Sequence, residues 1–140
     1  MVMKGKWIGE YTYGNGYPDN YAGKSVGFKM ELSSSGVEFD GFFTDDETRE
    51  LFDLPGTVHG YIENDVVVFS KWYPCHYEIN DIGEVEIFGD SPSHEIYYSG
   101  NLIEGHFQGE WEIPGEFVDD NGSYTTVNGS GTWSMKKSSL

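Results

Sequence analysis

Three side chains near the middle of the chain could do acid–base chemistry: His59, Tyr61 and, across a turn, Ser70. A histidine supplies a base near neutral pH, a tyrosine an acid, and a serine hydroxyl an orienting oxygen. Projecting together from one hairpin, they suit proton transfer on a bound substrate, the work of a small-barrel isomerase or lyase. The same residue types on a barrel strand are more often rim residues bonded to water, so no catalytic residue is assigned.

Three further histidines, His76, His94 and His106, invite a metal, but none sits at a recognised ligand spacing. The single Cys75 beside His76 supplies at most a second ligand and excludes an intramolecular disulfide. The runs Asp45-Asp46-Glu47 and Asp119-Asp120 offer oxygens to a hard cation without the loop spacing of a calcium site. The expectation is no metal and no cofactor, with His106 paired to Glu95 across a hairpin.

The elements that carry these residues are legible from alternation. Trp7, Gly9, Tyr11 and Tyr13 share one strand face; Val26, Phe28, Met30 and Leu32 share another; Val37, Phe39, Gly41 and Phe43 a third. Asn64-Asp65 suits a two-residue primed turn, which pairs Ile62 with Val67, Gly60 with Phe69 and Val58 with Lys71. A second hairpin is predicted at Gly100-Asn101, pairing Tyr98 with Ile103, Ile96 with Gly105 and His94 with Phe107. Residues 74–83 show little pattern, 84–88 read as a strand, and 116–128 as a loop or irregular hairpin. Thr44-Asp45-Asp46-Glu47 has capping-box spacing, so a short helix near residues 45–53 competes with an acidic loop.

Glycine recurs two residues from an aromatic: Trp7 with Gly9, Phe39 with Gly41, Gly105 with Phe107, Gly109 with Trp111, and Gly131 with Trp133. Glycine weakens strands unless a ring covers its bare backbone in a strongly coiled sheet. The reading is an all-β fold: one domain over residues 1–140, an antiparallel up-and-down β-barrel of about eight strands. Closure would set the first strand beside the last and bring Trp7 towards Trp133.

The 140 residues carry 24 acidic against 8 basic side chains, a net charge of −16. Such a surface repels nucleic-acid phosphates and anionic membranes, and its bland meaning is solubility. The first residues lack an apolar signal core and no segment approaches membrane-spanning length, so a cytoplasmic location is expected. Oligomeric state cannot be read.

Gly5-Lys6-Trp7 at the head of the first strand resembles the Gly-x-Trp that opens lipocalin barrels. Gly131-Thr132-Trp133 near the end, on a meander of this length, is similar to avidin-type barrels. Together they resemble the calycin group, which implies a barrel binding an apolar or small ligand in its lumen. The arginine that lipocalins place over the tryptophan is replaced by Lys136 and Lys137, the Thr-Asp-x-x-Tyr element is absent, and no biotin-binding set aligns.

An eight-stranded barrel either fills with side chains or holds one small ligand. The lumen candidates are Trp7, Tyr11, Tyr13, Phe28, Phe39, Phe43, Lys71, Tyr73, Phe107, Trp111 and Trp133, with Tyr11, Tyr13, Lys71 and Tyr73 as polar groups at the mouth. The first expectation is a small apolar or aromatic ligand bound without catalysis. The alternatives are a packed barrel acting as a structural or protein-interaction module, and the isomerase or lyase through His59 and Tyr61.

Overall fold

The computed structural model describes residues 3–138 except 18, 20, 80, 81, 83, 120 and 121, together with the backbone but not the side chains of residue 79 and residues 114–128. Ten strands follow one another: β1 (Gly5–Tyr13), β2 (Ser25–Ser35), β3 (Glu38–Asp45), β4 (Gly56–Glu63), β5 (Val66–Trp72), β6 (His76–Ile79), β7 (Val85–Phe88), β8 (Ile96–Ile103), β9 (His106–Asp119) and β10 (Gly122–Lys137). Eight of them close an antiparallel barrel in the order β1-β10-β9-β8-β5-β4-β3-β2, while β6 and β7 pair separately as a two-stranded sheet. The chain thus meanders up and down, with one hairpin inserted between β5 and β8. No helix among the described residues is long and apolar enough to cross a membrane.

Strand periodicity decides what enters the lumen. On β2, Val26, Phe28, Met30 and Leu32 are buried while Lys29 and Glu31 are exposed. On the β4–β5 hairpin, Val58, Gly60, Val67, Phe69 and Lys71 face inward, in the register expected from the Asn64-Asp65 turn. Both turn residues take positive φ, 51° and 69°, as a primed hairpin turn demands.

Rings lie on two of the five glycines so read, Gly9 and Gly131, and they come from across the sheet; Gly41 and Gly109 instead meet neighbouring backbone, and nothing lies within 4 Å of Gly105. A Cβ at Gly9 would meet Phe28 at 2.7 Å, and one at Gly131 would meet the Trp111 indole nitrogen at 2.6 Å. The two indoles then donate to strand carbonyls: Trp111 Nε1 to Thr132 O at 3.1 Å, Trp133 Nε1 to Glu110 O at 3.0 Å. At the end where β1 begins, Trp7 Nε1 donates to Met3 O at 2.8 Å and its ring packs 5.7 Å from Phe107. That end is sealed.

Four expectations need correction. Residues 46–51 form successive turns rather than a helix. The capping carboxylate is Asp45, whose Oδ1 accepts from Glu47 N and Thr48 N, while Glu47 is drawn away to Tyr13 and cannot close a box on Thr44. The second hairpin turns at Glu104 and Gly105, φ 50° and 89°, so Tyr98 faces Trp111 and Ile103 faces His106. A type I′ turn needs positive φ at both central positions, as Glu104 and Gly105 have, and Gly100 instead lies in the strand against Trp133. Gly105 is therefore a turn residue, and Glu95 bonds Ser70 instead of His106. Residues 76–79 and 85–88 pair as a two-stranded sheet, although residues 74–83 as a whole show little pattern in sequence. Finally, β1 does lie beside β10, but Trp133 stands opposite Tyr11, and Trp7 opposite Lys137. Residues 116–119 and 122–128 continue the β9–β10 ladder with a shift between Val127 and Gly129, and the tip at 120 and 121 lies outside the described residues.

Close backbone approach makes a direct prediction. A Cβ at Gly109 would fall 1.8 Å from Ser99 O and 2.6 Å from Gly100 Cα. Gly109→Ala should cost about 3 kcal/mol or more of stability in urea denaturation, as overpacking against backbone does. Gly89→Ala, where nothing lies within 4 Å, should stay within about 0.5 kcal/mol of wild type. Equal effects would show that the barrel's tight strand packing is not what requires glycine.

Candidate functional site

The opposite end of the barrel is open. β1 delivers Tyr11 and Tyr13, the loop after it Tyr17, and the residue after β5 Tyr73. β6 adds His76, Tyr77 and Glu78; the approach to β8 adds Ser93 and His94; β8 and β9 add Ile96, Tyr98, Trp111 and Ile113. These side chains line a cavity of about 370 Å³.

Behind the wall sits Asp45, the last residue of β3, 1 % exposed. Continuing the β3 alternation past Gly41 and Phe43 turns it inward. Its Oδ2 accepts from Tyr73 at 2.6 Å and Tyr11 at 3.2 Å. Its Oδ1 accepts the Glu47 and Thr48 amides and the Thr48 hydroxyl, the last at 2.8 Å. A buried carboxylate needs such saturation, since an unpaired one would be very costly. The turn it caps carries Glu47 back to the barrel, where Tyr13 donates to Oε1 at 2.5 Å. Glu47 Oε2 is buried and has no hydrogen-bond partner among the described residues.

Lys71 lies deeper, fully buried, on the floor of this network. Its Nζ stands 3.7 Å over the Phe28 ring, 4.4 Å over Tyr98 and 4.7 Å over Phe43, and it donates to Tyr98 Oη at 3.3 Å. Burial pushes the ammonium down to about 7, with Asp45 pulling the other way. Ring faces and a nearby carboxylate are what make a buried ammonium tolerable there.

The phenols are held neutral. Burial raises Tyr11, Tyr73, Tyr77 and Tyr98 well above the ordinary phenol value; neighbouring phenols and Asp45 add to it at Tyr11, Tyr73 and Tyr98, and Glu47 and Asp45 at Tyr77. Tyr13 and Tyr17 are raised by burial too, with Glu47 reinforcing the effect. Burial also raises Glu47, against the hydrogen bond from Tyr13. At the rim, His76 Nε2 meets Glu78 Oε1 at 2.9 Å, and His94, its ring 4.4 Å from His76, is lowered by burial and then by that neighbour.

Of the lumen candidates read from sequence, Tyr11, Tyr13, Tyr73 and Trp111 come together on the cavity wall. Phe28, Phe43 and Lys71 lie beneath it, and Trp7, Phe39, Phe107 and Trp133 belong to the packed interior. Lys71 is a floor group, not a mouth group. His59 is exposed and Tyr61 is 47 % exposed on the outer face of β4, while Ser70 is tied to Glu95, so that trio does not converge on the lumen. Sequence reasoning missed Asp45, Glu47, Tyr77 and Tyr98. The signal for Asp45 was one more step of the β3 alternation; for Tyr77 there was none. No group of three or more metal-ligating side chains forms among the described residues. No protein-family model matches the chain, and searches of curated proteins and solved structures return no significant match.

The Lys71 environment predicts how stability responds to pH. The unfolded lysine keeps its proton to about pH 10.4, whereas the folded one releases it near about 7. Between those values the unfolded state binds more protons, so this residue's contribution rises with pH, by up to about 1.4 kcal/mol per pH unit. Wild-type stability measured from about pH 7.5 to about 9.5 should therefore climb relative to Lys71→Met, which lacks the titration. Parallel curves would mean that Lys71 is not held below its ordinary value.

Proposed function

We propose that this protein is a calycin-like barrel that binds a small, largely aromatic or apolar molecule in the open end of its lumen, without chemical conversion. The observation that carries the reading is the cavity of about 370 Å³ walled by Tyr11, Tyr13, Tyr73, Tyr98 and Trp111. Ligand sites are concave, mostly aromatic or aliphatic, and hold a few well-placed polar groups, within a range of about 300–1,000 Å³. Ring faces supply the apolar wall, and hydroxyls fixed by Asp45 and Glu47 supply direction. Preset hydroxyls lower the ordering cost of binding.

The calycin reading rests on the closed eight-stranded antiparallel barrel, and at the sealed end it departs from the lipocalin pattern. Trp7 stands there at the head of β1, with Lys137 of β10 opposite where lipocalins use arginine. A Cβ at Gly5 would come within 3.0 Å of Lys137 Cε, so the lysine stem lies against the strand beside that tryptophan.

Trp111 lines the cavity and reports on it. Titration with the neutral naphthalene dye prodan should give saturable one-to-one binding with quenching of tryptophan emission. Trp111→Phe should remove most of the quenching while the dye's own emission still saturates. A cooperatively folded sample that shows no saturable dye binding would sink the proposal and leave the packed-barrel alternative in its place.

A further inference from the structure

The polarity of the cavity is not symmetric. Tyr11, Tyr13 and Tyr73 each have their proton committed to a carboxylate behind the wall, at 3.2, 2.5 and 2.6 Å. What those oxygens can still offer is lone pairs. Behind Tyr13 and off the lining itself, Glu47 keeps a buried oxygen with no hydrogen-bond partner among the described residues. Among the described residues no lysine or arginine lines the cavity, and Lys71 holds its Nζ beneath it against the rings of Phe28 and Phe43 and the Tyr98 hydroxyl.

The rings complete the picture. Tyr13 stands near perpendicular to Tyr17, at 75°, and to Trp111, at 87°, with centroids 4.6 and 5.8 Å away; Tyr11 meets Trp111 at 78°. Rings set at right angles present faces from different directions, the arrangement that holds organic ammonium ions. This end of the molecule already uses a ring face for a cation: Lys24 sits 4.5 Å over Tyr21.

Resting on the lumen-binding reading above, we infer that the ligand is an organic ammonium: a protonated amine on an aromatic or apolar body, its body against the tyrosine and Trp111 rings and its charge towards Tyr13 and the Asp45–Glu47 pair. Ring faces, committed phenol protons and two carboxylates all favour a donor carrying positive charge, and all disfavour an anion. A neutral isostere keeps the apolar contacts and loses the charge term.

Three matched probes at about pH 8, where an alkylammonium is still charged, separate the possibilities: phenethylamine, phenethyl alcohol and phenylacetate. Calorimetric titration of the intact protein should show the amine binding at least about tenfold tighter than the alcohol, with phenylacetate weakest, as a desolvated cation–ring contact implies. Glu47→Gln should weaken the amine several-fold more than the alcohol, so that the ratio of the two affinities falls. Glu63→Gln, which removes the same charge at the sealed end, should change neither. Near-ultraviolet circular dichroism of each variant checks that it folds. Equal affinity for amine and alcohol, or preference for phenylacetate, would overturn the ammonium assignment while leaving lumen binding intact. Failure of all three probes together with prodan would overturn both.

Discussion

The open end of this barrel depends on one buried carboxylate. Asp45 gathers two phenols, two backbone amides and a threonine hydroxyl onto its two oxygens. Each bond fixes something different. Tyr11 is set on the β1 wall, Tyr73 at the exit of β5, and the turn after β3 is bent so that Glu47 returns to Tyr13. Without that acceptor, three phenols would lose their orientation and the turn its cap. Burying the charge is costly, and those five hydrogen bonds offset that cost; Asp45 in turn draws Lys71 upward in proton affinity while burial drives it down further.

The two ends of the lumen follow opposite physical rules. At the sealed end, large rings occupy the space that glycines leave on neighbouring strands, as Trp133 does over Gly100 and Phe28 over Gly9. Interdigitation of that kind reaches interior packing density and leaves no room for a guest. At the open end the rings are tyrosines, whose hydroxyls must reach partners, so they cannot collapse inward as phenylalanines would. The cavity survives because its walls are pinned from behind by hydrogen bonds.

The barrel itself was legible because its information is local. Alternation on β1, β2 and β3 and the Asn64-Asp65 turn each follow from the stereochemistry of a few neighbouring residues, and the register of β4 with β5 follows from the turn alone. The second hairpin was misplaced because Gly100-Asn101 and Glu104-Gly105 are both acceptable turn sequences. Only the long-range fit of Gly100 under Trp133 separates them. The site was half visible: Tyr11, Tyr13, Tyr73 and Trp111 lie on regular strands or at their ends. Tyr77 comes from the inserted β6–β7 hairpin, whose partner is the mouth of the barrel and whose sequence therefore carries no core-facing period. The short helix near residues 45–53 failed for a related reason, since Thr44 and Glu47 have the right spacing but Glu47 has a better partner in Tyr13, 34 residues away.

A barrel selected for stability alone would not place Asp45, Glu47 and Lys71 together under a tyrosine wall. Apolar residues of similar volume would fill the same space at lower cost, because taking an ionisable group out of water carries a desolvation cost on the order of several kcal/mol. Glu47 keeps an oxygen buried without a partner among the described residues, an arrangement that adds nothing to the packing it interrupts. Departures from local consistency of this kind concentrate where a protein binds or reacts. Here they lie behind Tyr11, Tyr13 and Tyr73, whose hydroxyls donate to the two carboxylates. The same bonds hold those tyrosines in place and leave their oxygens only lone pairs to offer, so the network that keeps the barrel open also sets the polarity of its wall.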